Sequence, residues 1–236
     1  MAFADRSEAG RQLAVSLAEF AEQDVVVLGL PRGGVVVAAE VADALGAPLD
    51  VILVRKLGFP SQPELAMGAI GEGGAKVINV EGTWLAREDP DRAAMVEGHE
   101  REELVRRAHC YRGDRTPVSI QGKTAIVVDD GIATGATIRV ACEVARAQGA
   151  ARIVAAAPIA PSSVVVDLAS AADQVVCLQT PRHFHAIGQW YDDFSATPDD
   201  QVVEILRRHP KNTSGAPKGA TGGAAQAADL GTALLE

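Results

Sequence analysis

The stretch Thr124-Ala-Ile-Val-Val-Asp-Asp-Gly-Ile-Ala-Thr-Gly-Ala-Thr137 concentrates more chemistry than any other window of the chain. Ala125 to Val128 is apolar without alternation, which predicts a strand of a parallel sheet buried on both faces. Two carboxylates, Asp129 and Asp130, follow at the carboxyl end of that strand, where open α/β sheets bind their ligands. Gly131 to Thr137 is then a loop of small residues whose glycines allow close backbone approach. Ile138, Ala141, Cys142 and Ala145 recur at helical spacing before Gly149. The loop therefore opens onto a helix N-terminus, where unpaired N–H groups and the helix dipole favour a phosphate. Thr134 and Thr137 add hydroxyl donors.

Carboxylates repel phosphate, so an acidic pair beside a phosphate cradle points to a ligand carrying both hydroxyls and phosphate. A sugar phosphate meets that description. The acids would accept hydrogen bonds from two ribose hydroxyls or hold a hydrated divalent cation, while the loop takes the 5′-phosphate. The plainer reading of the same residues is a strand ending in solvated acids, followed by a turn and a helix cap.

Val127-Val-Asp-Asp-Gly-Ile-Ala-Thr-Gly-Ala-Thr137 resembles the phosphoribosyl-pyrophosphate (PRPP) signature of type I phosphoribosyltransferases. The resemblance covers about residues 24–180. It implies an α/β fold with a doubly wound, mostly parallel sheet, a small hood and a flexible loop. It also implies transfer of ribose 5-phosphate from PRPP to a nitrogen of a small heterocyclic acceptor, with Mg²⁺ held mainly by the substrate and in part by Asp129 or Asp130. Asp129 and Asp130 would orient the ribose, and Gly131, Ile132, Ala133, Thr134, Gly135, Ala136 and Thr137 would form the 5′-phosphate loop. Purine enzymes of the hypoxanthine-guanine type carry an aspartate where this chain has Ala133; the loop is nearer the adenine type, and the acceptor stays open, uracil and orotate included. A homo-oligomer, with a dimer as the simplest case, is expected. A regulatory protein of the same fold that binds PRPP or a nucleotide without turnover is the alternative reading.

Composition bounds these expectations. A chain of 236 residues makes one domain of ordinary size, and 47% hydrophobic with 22% charged residues describes a globular protein. A net charge of −9 disfavours nucleic acid as a partner, because phosphate neutralisation needs clustered Lys and Arg. The apolar runs are too short to span a bilayer, and the start of the chain lacks a basic segment followed by an apolar core. Cys110, Cys142 and Cys177 are odd in number and widely spaced, which fits reduced thiols and a cytoplasmic protein.

Upstream of the acidic loop, Asp5 and Glu8 form a capping pair ahead of Ala9, Leu13, Leu17 and Phe20, a packing helix. Residues 24–28 read as a strand and 29–34 as a glycine loop before an apolar helix ending near Gly46, the first half of a βαβ unit. Neither a Walker pattern nor Gly-x-Gly-x-x-Gly is present. In the resembled family this loop binds pyrophosphate through a basic residue and backbone amides, a place that Arg32, Gly33 and Gly34 fit. Pro48 to Val54 reads as the second strand, with Arg55 and Lys56 at its carboxyl end to draw off pyrophosphate. Residues 57–74, rich in Gly and Pro, resemble the loop that covers the family's site, although an ordinary β-excursion has the same composition.

Lys76 to Val80 reads as a strand. Asp89-Pro90 starts a helix to about His109, and Arg106, Arg107, Arg112 and Arg115 make a basic patch, either solvated and intrahelical or reaching a neighbouring subunit. Residues 152–157 and 174–178 are strands flanking a helix over 162–171. Four of the nine aromatic residues then fall in 181–194: Phe184, Trp190, Tyr191 and Phe194. Phe184 and Trp190 are candidates to stack on a flat acceptor from a hood over 181–197, joined by the N-terminal helix; pinning a returning loop or forming a dimer contact are the alternatives. After an amphipathic helix at 202–208, the domain is expected to end at 209, with a disordered low-complexity tail over 210–236.

Overall fold

In the computed structural model, which describes residues 2–59 and 62–209, the apolar runs form a parallel sheet with a smaller sheet inserted beside it. Helix α1 (Arg6–Ser16) is capped by Asp5, whose carboxylate accepts the Glu8 amide at 2.8 Å. A βαβ unit follows: β1 (Val25–Gly29), α2 (Gly33–Leu45) and β2 (Leu49–Val51). The inserted sheet is β3 (Val54–Phe59), β4 (Gln62–Gly71) and β5 (Lys76–Ile78), and helices α3 (Val80–Glu88) and α4 (Pro90–Arg112) lead back from it. The chain then alternates β6 (Thr124–Val128), α5 (Ala136–Ala147), β7 (Arg152–Ile159), α6 (Ser162–Leu168) and β8 (Gln174–Gln179). A 3-10 turn, Ile187–Trp190, and α7 (Asp199–Arg208) complete the described residues.

The main sheet has the order β2-β1-β6-β7-β8, every pair parallel. Both faces are covered, which is why its strands read as unbroken apolar runs. Val25, Val27, Ile126 and Val128 pack on one face with Val37 and Val41 of α2 and with Leu13 and Leu17 from the first helical segment. Val26, Leu28, Ala125 and Val127 face the other way, against Ile138, Ala141 and Cys142 of α5. Helices after β1 and β6 thus leave toward opposite faces. That divergence opens a crevice at the carboxyl ends of these two adjacent strands, the switch point of a doubly wound sheet.

The second strand is shorter than the sequence suggests. It ends at Val51, and the chain crosses buried Ile52 and Leu53 into β3, so Arg55 and Lys56 lie not at a core strand end but in the antiparallel ladder, opposite Ile70 and Ala69 of β4. The segment 57–74 lacks a steady period because the β3–β4 register shifts twice, around Gly58. In its described part it is the β-excursion rather than an irregular covering loop.

The basic patch along and just after α4 dissolves into separate roles. Arg106 and Arg107 bond to Glu103 at 2.7 and 2.8 Å. Arg112, by contrast, is buried: it pairs with Asp50 Oδ1 at 2.6 Å and Glu72 Oε1 at 2.5 Å and donates to the Val51 carbonyl at 2.7 Å. Arg115 donates to the carbonyls of Leu206 and His209 at the end of α7. The tail expected from residue 210 lies outside the described residues.

Candidate functional site

Asp129 and Asp130 leave β6 at the switch point, and the loop after β1 meets them there. Gly33, the first residue of α2, approaches so closely that a Cβ on it would fall 1.9 Å from Asp130 Oδ2. A Cβ on Gly34 would stand 2.8 Å from the Val128 carbonyl oxygen and 3.0 Å from Asp129 Oδ1. Only glycine lets the two loops close on each other in this way. The peptide between Pro31 and Arg32 is cis, and the Arg32 side chain is exposed at the N-cap position of α2.

Gly131 to Gly135 carries the chain from the acids to α5. Ile132 is anchored by its amide to the Ile159 carbonyl at 2.9 Å, whereas Ala133, Thr134, Ala136 and Thr137 are exposed. Gly135 caps the helix with φ of 77°, a left-handed conformation that favours glycine. Two helix N-termini, of α2 and α5, thus flank one acidic pair. The arrangement presents donors for two anionic groups with carboxylates between them.

The two acids differ. Asp129 is half-buried, and burial first, then the charge of Asp130, pushes its carboxyl well above the ordinary value; its Oδ1 accepts the Asp130 amide at 2.9 Å. Asp130 is engaged by a residue that sequence reasoning did not assign to the site. Arg6, from the first turn of α1, donates through Nε to Asp130 Oδ2 at 2.7 Å. It also donates through a terminal nitrogen to the Ser195 carbonyl at 2.8 Å, and its guanidinium lies 4.0 Å from the centre of the Phe194 ring. Tyr191 donates its hydroxyl to the Asp130 carbonyl at 2.5 Å. No local pattern announces these contacts, since 124 and 61 residues separate the partners.

The aromatic stretch forms a hood with the N-terminal arm. Phe3 and Tyr191 are buried together with Ala9 and Ile159, and Phe184, Ile187, Trp190 and Phe194 pack around them. Backbone bonds join the arm to the hood: the Phe3 amide to the Trp190 carbonyl at 2.8 Å and the Asp192 amide to the Phe3 carbonyl at 2.8 Å. Ile187 lies against Gly131, where a Cβ would come within 2.4 Å of it. Phe184 and Trp190 are half-buried, and the indole N–H of Trp190 is shielded without an acceptor among the described residues.

Arg55 and Lys56 are not brought to this place. Arg55 is bound by Glu100 of α4 at 2.6 Å, and both line a cleft of about 670 Å³ with Phe59, Met95 and His99, to which the acidic loop contributes nothing. Among the described residues no group of three or more His, Cys, Asp or Glu could hold a metal ion. With one Asp130 oxygen taken by Arg6, Asp129 and the second Asp130 oxygen are the carboxylate donors that could contact a divalent cation here. No helix among the described residues is long and apolar enough to cross a membrane.

Known proteins resemble this chain. The phosphoribosyl transferase domain family matches residues 7–194. Two proteins of Mycobacterium tuberculosis, from strains CDC 1551 and H37Rv, whose names assign them to the phosphoribosyl transferases, are each 56% identical over 211 residues, 87% of this chain. The chain spans 46% of the length of these relatives. The crystal structure of TT1426 from Thermus thermophilus is 43% identical and superposes with a TM-score of 0.81, covering 89% of this chain and 100% of that one. With the signature loop, the switch-point geometry and a family match over 7–194 in agreement, the chain belongs to the phosphoribosyl transferase domain family.

Proposed function

We propose that this protein transfers the ribose 5-phosphate group of PRPP to a nitrogen of a flat heterocyclic acceptor and releases pyrophosphate. The observation that carries the reading is the contact between Gly33 and Asp130: it sets an acidic pair between two helix N-termini, as a ligand with a phosphate at each end and hydroxyls in the middle requires. Asp129 and Asp130 orient the ribose and lend negative potential to the cationic sugar that develops as pyrophosphate leaves. The loop from Ala133 to Thr137 takes the 5′-phosphate at the N-terminus of α5. Arg32, with the amides of Gly33 and Gly34, holds the pyrophosphate at the N-terminus of α2.

Rate enhancement comes from alignment of donor and acceptor and from stabilisation of the leaving group, with no covalent intermediate on the enzyme. Mg²⁺ arriving on the pyrophosphate of the donor would supply charge neutralisation there, and Asp129, the carboxylate not bonded to Arg6, would be its protein contact. Arg55 and Lys56 lie on another cleft and are left out of this set. The acceptor we assign to the hood, where Phe184 and Trp190 offer half-buried rings.

Calorimetric titration of PRPP with and without Mg²⁺ tests the reading, using the wild type and the double variant Asp129→Asn/Asp130→Asn. Mg²⁺-dependent binding that the variant loses is expected, and pyrophosphate release can then be screened across purine and pyrimidine acceptors. A folded wild type that does not bind PRPP would refute it.

A further inference from the structure

Asp130 is held at both of its ends by the same structural unit. Its side chain meets Arg6 at 2.7 Å and its carbonyl meets the Tyr191 hydroxyl at 2.5 Å. These two residues are themselves joined through the hood: Tyr191 stacks on Phe194 with ring centres 5.0 Å apart, and Phe194 lies under the Arg6 guanidinium. Arg6 closes the circuit through the Ser195 carbonyl. Only 11% of the Arg6 side chain and 13% of the Asp130 side chain are exposed, so water competes little for this pair.

The position of Arg6 is specific as well as charged. Its Nε and a terminal nitrogen point to different acceptors, Asp130 Oδ2 and the Ser195 carbonyl, a fork that lysine cannot reproduce with one ammonium group. The pair also lies directly on the pyrophosphate-loop candidate, since a Cβ on Gly33 would fall 2.7 Å from Arg6 Nε.

We infer that Arg6 is a positioning residue: by bridging Asp130 to Ser195 and Phe194 it fixes the carboxylate that faces the ribose and couples that carboxylate to the hood. The inference rests on the PRPP reading above and deepens it. It assigns the N-terminal helix a part in the recognition of the ribose, distinct from the phosphate contacts made by the two loops. The ligand class affected is therefore the one that carries ribose hydroxyls, and inorganic pyrophosphate is not in it.

The test compares wild type, Arg6→Lys and Tyr191→Phe in calorimetric titrations with PRPP and with inorganic pyrophosphate, both with Mg²⁺, each protein's folding being verified by its thermal transition. Arg6→Lys keeps the positive charge, so its pyrophosphate affinity is expected to stay within about twofold of wild type, while its PRPP affinity falls about tenfold as a charge-assisted bond is lost. Tyr191→Phe, which retains Arg6 and the ring stack, is expected to weaken PRPP about threefold with pyrophosphate again unchanged. If Arg6→Lys binds PRPP like wild type, or loses PRPP and pyrophosphate equally, the positioning role is overturned although the PRPP reading survives. A wild type that binds pyrophosphate but not PRPP would overturn both.

Discussion

Asp129 shows what one position at this site costs the fold. A carboxyl kept well above its ordinary value by burial and by the charge of Asp130 opposes folding wherever it must ionise. Because its value is raised in the folded state, the folded protein binds the proton more tightly than the unfolded chain does. Stability is therefore greatest below the unfolded carboxyl value of about 3.9 and is lost as the pH rises through the folded one. Asp129→Asn removes that loss and keeps a carbonyl oxygen able to accept the Asp130 amide. At pH 7 it is expected to stabilise the protein by about 1 kcal/mol, or roughly 2–4 °C in Tm, with the gain disappearing near pH 4. Paired thermal melts at the two pH values measure this; a variant no more stable than wild type at pH 7 would contradict it. The same substitution is expected to lose PRPP binding, so a site residue here trades stability for function.

Among the elements, the inserted antiparallel sheet is seated against the core by the apolar packing of Leu57, Met67 and Ile70 and, beside it, by one buried cation. Arg112, at the last turn of α4, holds Asp50 of β2 and Glu72 just beyond β4, and Asp50 accepts the Val118 amide at 2.7 Å. Four chain segments meet at this buried cation. Truncation of one partner leaves buried carboxylates uncompensated, so Arg112→Met is expected to cost about 3–5 kcal/mol in urea unfolding. Arg106→Met, which removes a guanidinium bonded to Glu103 on the surface of the same helix, should leave the urea midpoint unmoved. Equal effects of the two would show that the clamp adds nothing to the seating of the sheet. Six residues apart on one helix, these arginines look alike in sequence, and only the packing of β2 and β4 separates them.

For the molecule as a whole, a ligand that bridges the loops after β1 and β6 ties together the two halves of the parallel sheet. Binding to the folded state alone at one hundred times Kd contributes about 2.7 kcal/mol. For a domain of this size Mg²⁺ and PRPP together are expected to raise Tm by about 5–10 °C, whereas ribose alone should not. Differential scanning calorimetry at rising PRPP concentration checks this, and a Tm that stays constant would contradict it. The family and the heart of the candidate site were legible in the sequence because strand, acids, glycine loop and helix start are contiguous between Thr124 and Thr137. Their chemistry depends on local spacing, and unbroken apolar runs such as Val25 to Leu28 announce a sheet covered on both faces. The fate of the charges was decided only by the tertiary structure. Arg55 faces Glu100 rather than the acids, Arg112 is buried, and Arg6 reaches across 124 residues to Asp130. A charged side chain has the same local pattern whether it is solvated, clamped or aimed into a site, and the partner that decides among these is supplied by chain segments far away in sequence.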